Sequence, residues 1–129
     1  FCGGLKDDAT RMVAGGPMMG RSLPRLDVPL IKGMNGLVLL TGRGPLEDGF
    51  GPCIHCNRCL EACPLGLEPD QVSIRVEAGR TLDTAPYGAL DCYECGCCSY
   101  VCPSSRPLVQ FMQVAKGALR RTAETRAKS

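Results

Sequence analysis

Residues 53–64 read CIHCNRCLEACP, and residues 92–103 read CYECGCCSYVCP. Both stretches follow the pattern C-x-x-C-x-x-C-x-x-x-C-P. The two copies contain eight of the ten cysteines in this chain of 129 residues. Because two complete copies, each ending in Cys-Pro, are hard to explain by chance, this repeat dominates the prediction of the fold.

The pattern is typical of the ligand runs that hold [4Fe–4S] clusters in ferredoxins. In that scheme the first three thiolates of a run hold one cluster, and the fourth reaches across to the other. The predicted ligand sets are Cys53, Cys56, Cys59 and Cys102 for the first cluster, and Cys92, Cys95, Cys98 and Cys63 for the second. Cys97 falls one residue short of the spacing and is predicted to be a small buried hydrophobic residue, while Cys2 is predicted to be unpaired.

Zinc and disulfide bonds are the competing interpretations of these cysteines. Structural zinc sites usually combine two separated C-x-x-C pairs, which the triple-cysteine runs fit poorly. A disulfide framework needs an oxidising compartment, and no signal peptide is recognisable in the sequence. Iron–sulfur ligation is therefore the favoured interpretation.

The composition limits both the core and the classes of function. Aromatic residues make up 5% of the chain and tryptophan is absent, so metal–ligand bonds are expected to supply much of the stability. The net charge of +2 argues against a dedicated nucleic-acid binder. The longest apolar run, residues 37–40, is too short to cross a membrane. No triad or carboxylate pair suggests hydrolysis, and no catalytic residue is predicted.

A small β unit is predicted for residues 1–45. Residues 11–14 are a strand candidate that runs into a glycine-rich turn. Asn35-Gly36 lies between two apolar runs, residues 28–34 and 37–41, and this arrangement is the strongest short signal for a hairpin.

From the first cysteine run onward the pattern is helical. Short helices are predicted over residues 56–63 and 86–90, and a longer helix runs from Pro69 until Gly79 stops it. After the second run, Ser105 is the predicted cap of a final helix. Its apolar side is predicted to contain Leu108, Phe111, Met112, Ala115, Ala118 and Leu119. Its end is predicted to be solvated and basic, with Lys116, Arg120, Arg121, Arg126 and Lys128.

Two further features allow two interpretations each. Residues 15–20 could cradle a ligand, but a tight turn is the favoured interpretation. His55, the only histidine, could hydrogen-bond near the first cluster, but a solvent-facing loop residue is favoured.

Five segments in a fixed order resemble the C subunit of the Rnf complex, a membrane-associated ion-translocating oxidoreductase that links NADH and ferredoxin. The segments are GGPMMG at 15–20, PLIKGMNG at 29–36, PCIHC at 52–56, DCYECGCCSYVCP at 91–103 and PLVQ at 107–110. The resemblance covers nearly the whole chain up to about Arg121.

The resemblance implies an α+β fold in three parts. Residues 1–45 would be the C-terminal part of a β-grasp (SLBB-like) module, residues 46–121 an α-helical ferredoxin-like domain with two [4Fe–4S] clusters, and residues 122–129 a basic tail. The chain would then be a C-terminal fragment whose FMN and NAD sites lie upstream, since the partial glycine motif at residues 42–44 does not replace them.

The function implied is electron transfer through two [4Fe–4S] clusters within this complex. The other subunits of the Rnf-type membrane complex are the expected partners, at the cytoplasmic face of the bacterial inner membrane, where this chain would be peripheral. Two alternatives are the iron–sulfur domain of a microcompartment cobalamin reductase and a structural zinc or scaffold module. A third makes residues 1–45 a ligand-binding module that the clusters merely support.

Overall fold

The structure is a computed structural model that describes residues 4–25, 27–42 and 49–127. The chain divides into two compact units, Phe1–Asp48 and Gly49–Ser129. The first unit contains the strands and the second contains the helices, so the α+β class predicted from the sequence is confirmed. The predictions for Cys2, for residues 43 and 44 of the glycine motif, and for Lys128 fall outside the described residues.

The first unit is built on a three-stranded antiparallel sheet. Its strands are β1 (Ala9–Ala14), β2 (Arg21–Leu23) and β3 (Leu37–Thr41), in the order β2-β1-β3. In the central strand β1, Val13 pairs with Ser22 on one side and with Val38 on the other. The strand predicted at residues 11–14 is therefore confirmed, and it lies at the centre of the sheet.

The glycine-rich segment after β1 is a tight turn, as predicted. The Gly20 amide donates a hydrogen bond to the Gly16 carbonyl over 2.7 Å. A Cβ atom at position 20 would lie 2.4 Å from that carbonyl oxygen and 2.5 Å from a methyl group of Val13. Only glycine fits there, because the turn packs its backbone directly against the strand.

The prediction of a hairpin at Asn35-Gly36 is wrong. Residues 28–34 form no strand, and β3 pairs with β1 instead. The left-handed residue in this segment is Gly33, with φ of 104°, and the Gly36 carbonyl accepts a hydrogen bond from the Gly15 amide over 2.8 Å. Pairing with the central strand satisfies a longer run of backbone groups than the local hairpin would, so the long-range contact decides the topology.

The second unit consists of short helices followed by one long helix. They are α1 (Arg58–Glu61), α2 (Pro69–Glu77), a 3₁₀ helix (Thr81–Tyr87), α3 (Cys97–Tyr100) and α4 (Leu108–Ala127). The prediction for α2 is confirmed: Pro69 occupies its first turn, where its missing N–H is not needed. Gly79, with φ of 72°, follows its end.

Two of the short helices differ from the predictions. The helix expected over residues 56–63 is shortened to α1, because Asn57 before it adopts the left-handed conformation, with φ of 60°. The helix expected over residues 86–90 is instead the 3₁₀ helix, which starts earlier and ends at the left-handed Gly88. The Thr84 hydroxyl stabilises its first turn by donating to the Thr81 carbonyl over 2.6 Å.

Helix α4 begins differently from the prediction, in which Ser105 caps it. Ser105 has φ of 51° and lies before the helix, which starts at Leu108. The Ser99 hydroxyl accepts the Val109 amide over 3.0 Å, so a residue of α3 performs the capping role. The helix continues through residues 122–127, where the prediction places the start of a tail. No helix in residues 4–25, 27–42 and 49–127 is long and apolar enough to cross a membrane.

Two small groups of buried residues form the core of the second unit. The first core group comprises Cys59, Cys98, Leu108 and Val109. The second core group comprises Val72, Ala89, Met112 and Ala115. Helix α4 contributes two residues to each group, so one helix supports both.

Truncation of Met112 tests how much the second core group contributes to the free energy of unfolding. Met112 is 1% exposed, and we expect Met112→Ala to lower the free energy of unfolding by about 2–5 kcal/mol, because it removes buried methylene groups and leaves a cavity. Denaturant unfolding of the anaerobically prepared protein measures this. The matched control is Val114→Ala on the same helix, where the side chain is 53% exposed. Equal effects of the two substitutions would contradict the assignment.

Candidate metal centres

The two cysteine runs share one backbone conformation. In each run a four-residue helix begins two residues after the second cysteine, as α1 in the first and α3 in the second. Two equivalent positions within each run have positive φ, as the pairs His55 and Glu94, and Asn57 and Gly96, and so does the equivalent pair just after the runs, Gly66 and Ser105. Left-handed conformations are unfavourable for most residues other than glycine. Their recurrence at matching positions indicates that both runs curve around the same kind of group.

A cavity of about 340 Å³, measured with the open space at its mouth, lies against the first run. The thiols that line it come from Cys53, Cys56, Cys59 and Cys102. Cys102 belongs to the end of the second run and reaches this cavity because the chain around it is held there: the Gly51 amide donates to the Ser104 carbonyl over 3.0 Å. The structure thus brings together the four cysteines that the crossed scheme predicts for the first cluster.

The cavity has one exposed side and one buried side. His55 lines it but is exposed, which agrees with the solvent-facing interpretation. Asp70, at the start of α2, lines it from the buried side. Burial raises the pKa of the Cys59 thiol, and the nearby Asp70 carboxylate raises it further. A thiol in this position becomes a thiolate only when a cation compensates its charge.

Arg106 also lines this cavity and was not singled out by the sequence analysis. Its side chain is 2% exposed. One terminal nitrogen, Nη1, donates to the Gly51 carbonyl over 3.0 Å, and the other, Nη2, donates to the Ser73 hydroxyl over 3.3 Å and forms an ion pair with Glu77. These contacts tie the chain before the first run to α2. In the sequence Arg106 lies in a polar loop between Cys-Pro and a helix, and no pattern there signals burial.

The second run forms a thiol-rich region that Cys63 joins. Burial raises the pKa of Cys98 to about 12, and the charges of Cys92 and Cys95 add to the effect. A hydrogen bond with Cys95 is the main cause that raises the pKa of Cys97, and the charge of Cys63 contributes as well. The charge of Cys63 is therefore felt at the second run.

The prediction that Cys97 is a buried hydrophobic residue is wrong. Cys97 is only partly buried, whereas its neighbour Cys98 is buried. Gly96, with φ of 90°, turns the chain immediately before α3, so Cys97 begins the helix at its accessible side. Although burial acts to raise the pKa of Cys95, hydrogen bonds with the backbone and side chain of Cys97 and with Tyr93 lower it overall.

Backbone N–H groups point at cysteine sulfur atoms in both parts of this region. The Glu94 amide donates to Cys92 Sγ over 3.3 Å, and the Leu67 amide donates to Cys63 Sγ over 3.4 Å. Such bonds stabilise negative charge on sulfur. They supply the kind of backbone support that thiolate ligands need.

Lys116 is predicted from the sequence to belong to a solvated basic end, and this prediction is wrong. Its side chain is 12% exposed, and Nζ donates to the Cys92 carbonyl and, over 3.0 Å, to the Glu94 carboxylate. Gln113 donates to the same carboxylate over 2.8 Å. Helix α4 thereby holds the start of the second cysteine run. The charge of Lys116 acts to lower the pKa of Cys92, but burial has a larger effect and raises this pKa overall.

The donor set fits a [4Fe–4S] cluster better than a single metal ion. A zinc ion needs four donors around one point, whereas each iron of a cubane takes one cysteine, so the thiols surround a larger box. Within residues 4–25, 27–42 and 49–127, no three Cys, His, Asp or Glu side chains converge as one ion would require. Four soft thiol donors around one cavity suit iron–sulfur chemistry.

Removal of the Lys116 charge tests its support of the second run. We expect Lys116→Met to lower the free energy of unfolding by about 1.5–3 kcal/mol, because it removes charged hydrogen bonds to Glu94 and to a backbone carbonyl. Thermal or denaturant unfolding of the anaerobic protein measures the change. Arg120→Met, at an exposed position one turn along α4, is the matched control and should change it little. A Lys116 variant as stable as this control would show that the contacts do not contribute.

Comparisons with known proteins agree with this geometry. Residues 52–105 match the family model of the 4Fe-4S dicluster domain. The C subunit of the ion-translocating oxidoreductase complex of Rhodobacter capsulatus is 46% identical over 92% of this chain and 23% of its own length. The C subunit of the proton-translocating ferredoxin:NAD(+) oxidoreductase complex of Clostridium ljungdahlii is 39% identical over 96% of this chain and 27% of its own length.

A third relative comes from Acetobacterium woodii. It is the C subunit of a Na(+)-translocating ferredoxin:NAD(+) oxidoreductase complex and is 36% identical over 89% of this chain and 26% of its own length. The chain thus spans about a quarter of the length of these curated relatives. The resemblance to the Rnf C subunit that the ordered segments indicate is confirmed. Over about nine-tenths of its length the chain is similar to C subunits of ion-translocating oxidoreductase complexes, and its residues 52–105 match the 4Fe-4S dicluster domain.

Proposed function

We propose that this chain relays electrons through two [4Fe–4S] clusters held by its second unit. Cys53, Cys56, Cys59 and Cys102 would hold the first cluster, and Cys92, Cys95, Cys98 and Cys63 would hold the second. The observation that carries the proposal is the cavity of the first run, which is lined by the three cysteines of that run and by Cys102 from the other. The electrostatic effect of Cys63 on Cys97 and Tyr93 supports the reciprocal exchange.

When bound, such clusters supply centres that take up and release single electrons. The chain's own residues hold them and set their surroundings. Leu108 and Val109 pack against Cys59 and Cys98 and exclude water from one side of each ligand set, which lowers the local dielectric. Cys56 and Tyr93 are exposed, so a partner could approach each centre beside them.

We place this relay in an ion-translocating NADH/ferredoxin oxidoreductase complex of the Rnf type. The names of three homologues describe C subunits of ion-translocating oxidoreductase complexes, two of them ferredoxin:NAD(+) oxidoreductases, and this supports the other subunits as partners. We further propose a peripheral position at the cytoplasmic face of the bacterial inner membrane. FMN and NAD would bind to regions that correspond to the remainder of the relatives, upstream of the part matched here.

We propose that residues 1–45 are the C-terminal part of a β-grasp (SLBB-like) module, followed by the ferredoxin-like domain at 46–121 and the basic segment at 122–129. The antiparallel sheet in the unit Phe1–Asp48 supports this division. A cobalamin reductase of microcompartments remains the alternative oxidoreductase, and a zinc scaffold the alternative without redox function. The match of residues 52–105 to the 4Fe-4S dicluster domain favours the cluster proposal over zinc.

Cysteine substitutions test the ligand sets and their exchange. After anaerobic reconstitution we expect about eight iron atoms per chain, because two full cubane ligand sets are present. Cys102→Ala should lose or convert the first cluster and spare the second, while Cys63→Ala should do the reverse. Electron paramagnetic resonance and iron analysis measure both. If Cys102→Ala removed the cluster that Cys92→Ala removes, the crossed assignment would be wrong.

Cys97→Ala and Cys2→Ala are the matched controls for these variants. Neither residue is a proposed ligand, so both cluster signals should remain, whereas Cys98→Ala should lose or convert the second cluster. Loss of a cubane in Cys97→Ala with retention in Cys98→Ala would overturn the register of the second run.

Removal of iron tests the link between cluster and fold. The cysteines Cys59 and Cys98 belong to the first core group, so we expect chelation of iron to abolish much of the helical circular dichroism signal. The loss should reverse on reconstitution with iron and sulfide. A stripped protein with an unchanged spectrum would show that apolar packing alone maintains the helices.

A further inference from the structure

The side chain of Arg106 has one nitrogen atom that its neighbours do not use. Its terminal nitrogens are engaged by the Gly51 carbonyl, the Ser73 hydroxyl and Glu77. Its Nε is buried and has no hydrogen-bond partner among the described residues. Buried N–H groups nearly always have a partner in native proteins, so this donor points to an acceptor supplied by a bound group.

The position of Arg106 identifies that group. Arg106 lines the same cavity as Cys53, Cys56, Cys59 and Cys102. We propose that Arg106 Nε–H donates a hydrogen bond to a sulfur atom of the first cluster or of its thiolates, and that Arg106 is thereby the residue that sets the reduction potential of that cluster. This inference rests on the proposed function, because it requires a cluster in the cavity.

The terminal nitrogens of the guanidinium are held by contacts on both sides. The Ser73 hydroxyl that accepts from Nη2 itself donates to the Asp70 carbonyl over 2.8 Å, so the network is anchored in α2. The rings of Phe50 and Phe111 lie with their centroids 5.2 and 5.4 Å from the guanidinium carbon. These rings meet edge to face at 5.6 Å and cover the guanidinium with apolar surface. A hydrogen bond in such surroundings is electrostatically stronger than in water.

The direction of the effect follows from the hydrogen bond. Reduction adds negative charge to the cluster, and an N–H group that donates to its sulfur favours the more negative state. Arg106 should therefore raise the potential of the first cluster. The second centre has no equivalent donor from this residue, so its potential provides an internal reference within the same molecule.

The test uses the full chain with both clusters, labelled with arginine that carries ¹⁵N at Nε. Electron–nuclear double resonance on the reduced first cluster should detect a ¹⁵N coupling from the wild-type protein. Arg106→Lys should abolish the coupling. It should also lower the potential of the first cluster, with about a tenfold change in its reduction equilibrium, or roughly 59 mV for one electron, while the second cluster keeps its potential.

Arg58→Lys is the matched control, because Arg58 is an exposed arginine next to the ligand Cys59 and should keep both the coupling and the potential. The wild-type measurement stands even if Arg106→Lys fails to fold. Two reduced clusters without any ¹⁵N coupling would overturn the inference and leave the proposed function intact. A protein that binds no cluster at all would overturn both.

Discussion

Burial of sulfur is the constraint on which the second unit depends. Burial raises the pKa of Cys59, Cys92 and Cys98, so these thiols resist ionisation in the folded chain. Metal ligation requires thiolates, and bound iron supplies the positive charge that makes them stable in the interior. The first core group consists half of cysteines. Ligation of iron and apolar packing in this unit therefore depend on the same cysteine side chains.

The polar contacts of the unit also support the segments that carry the cysteines. Arg106 joins the segment before the first run to α2, and Lys116 joins α4 to the start of the second run. Each buried or nearly buried cation lies beside one set of cysteines and has a carboxylate partner, Glu77 or Glu94. The two centres thus share a backbone design but differ in the charges around them, which is how a protein makes two identical cofactors chemically distinct.

The features that the sequence could predict are those encoded by local spacing. The cysteine intervals predicted the residues that line the first cavity, and Pro69 and Gly79 predicted α2, because a missing N–H and a left-handed terminus act within a single turn. The failures involve distant partners. The hairpin predicted at Asn35-Gly36 does not form, because β3 pairs with β1 instead. The cap of α4 comes from Ser99 and not from Ser105. Lys116 and Arg106 are polar residues whose burial depends on segments far away in the chain, and no local pattern carries that information.

Helix α4 has a consequence beyond its stabilising contacts. Leu108 and Val109 pack against Cys59 of the first run and Cys98 of the second, and Met112 and Ala115 pack beside Cys92 of the second. An α-helix rises about 1.5 Å per residue and resists stretching, so cysteines of both runs contact one rigid segment little more than two turns long. Electron tunnelling weakens steeply with distance. A single helix therefore limits how far the two centres can move apart, and this steadies the rate of electron exchange between them.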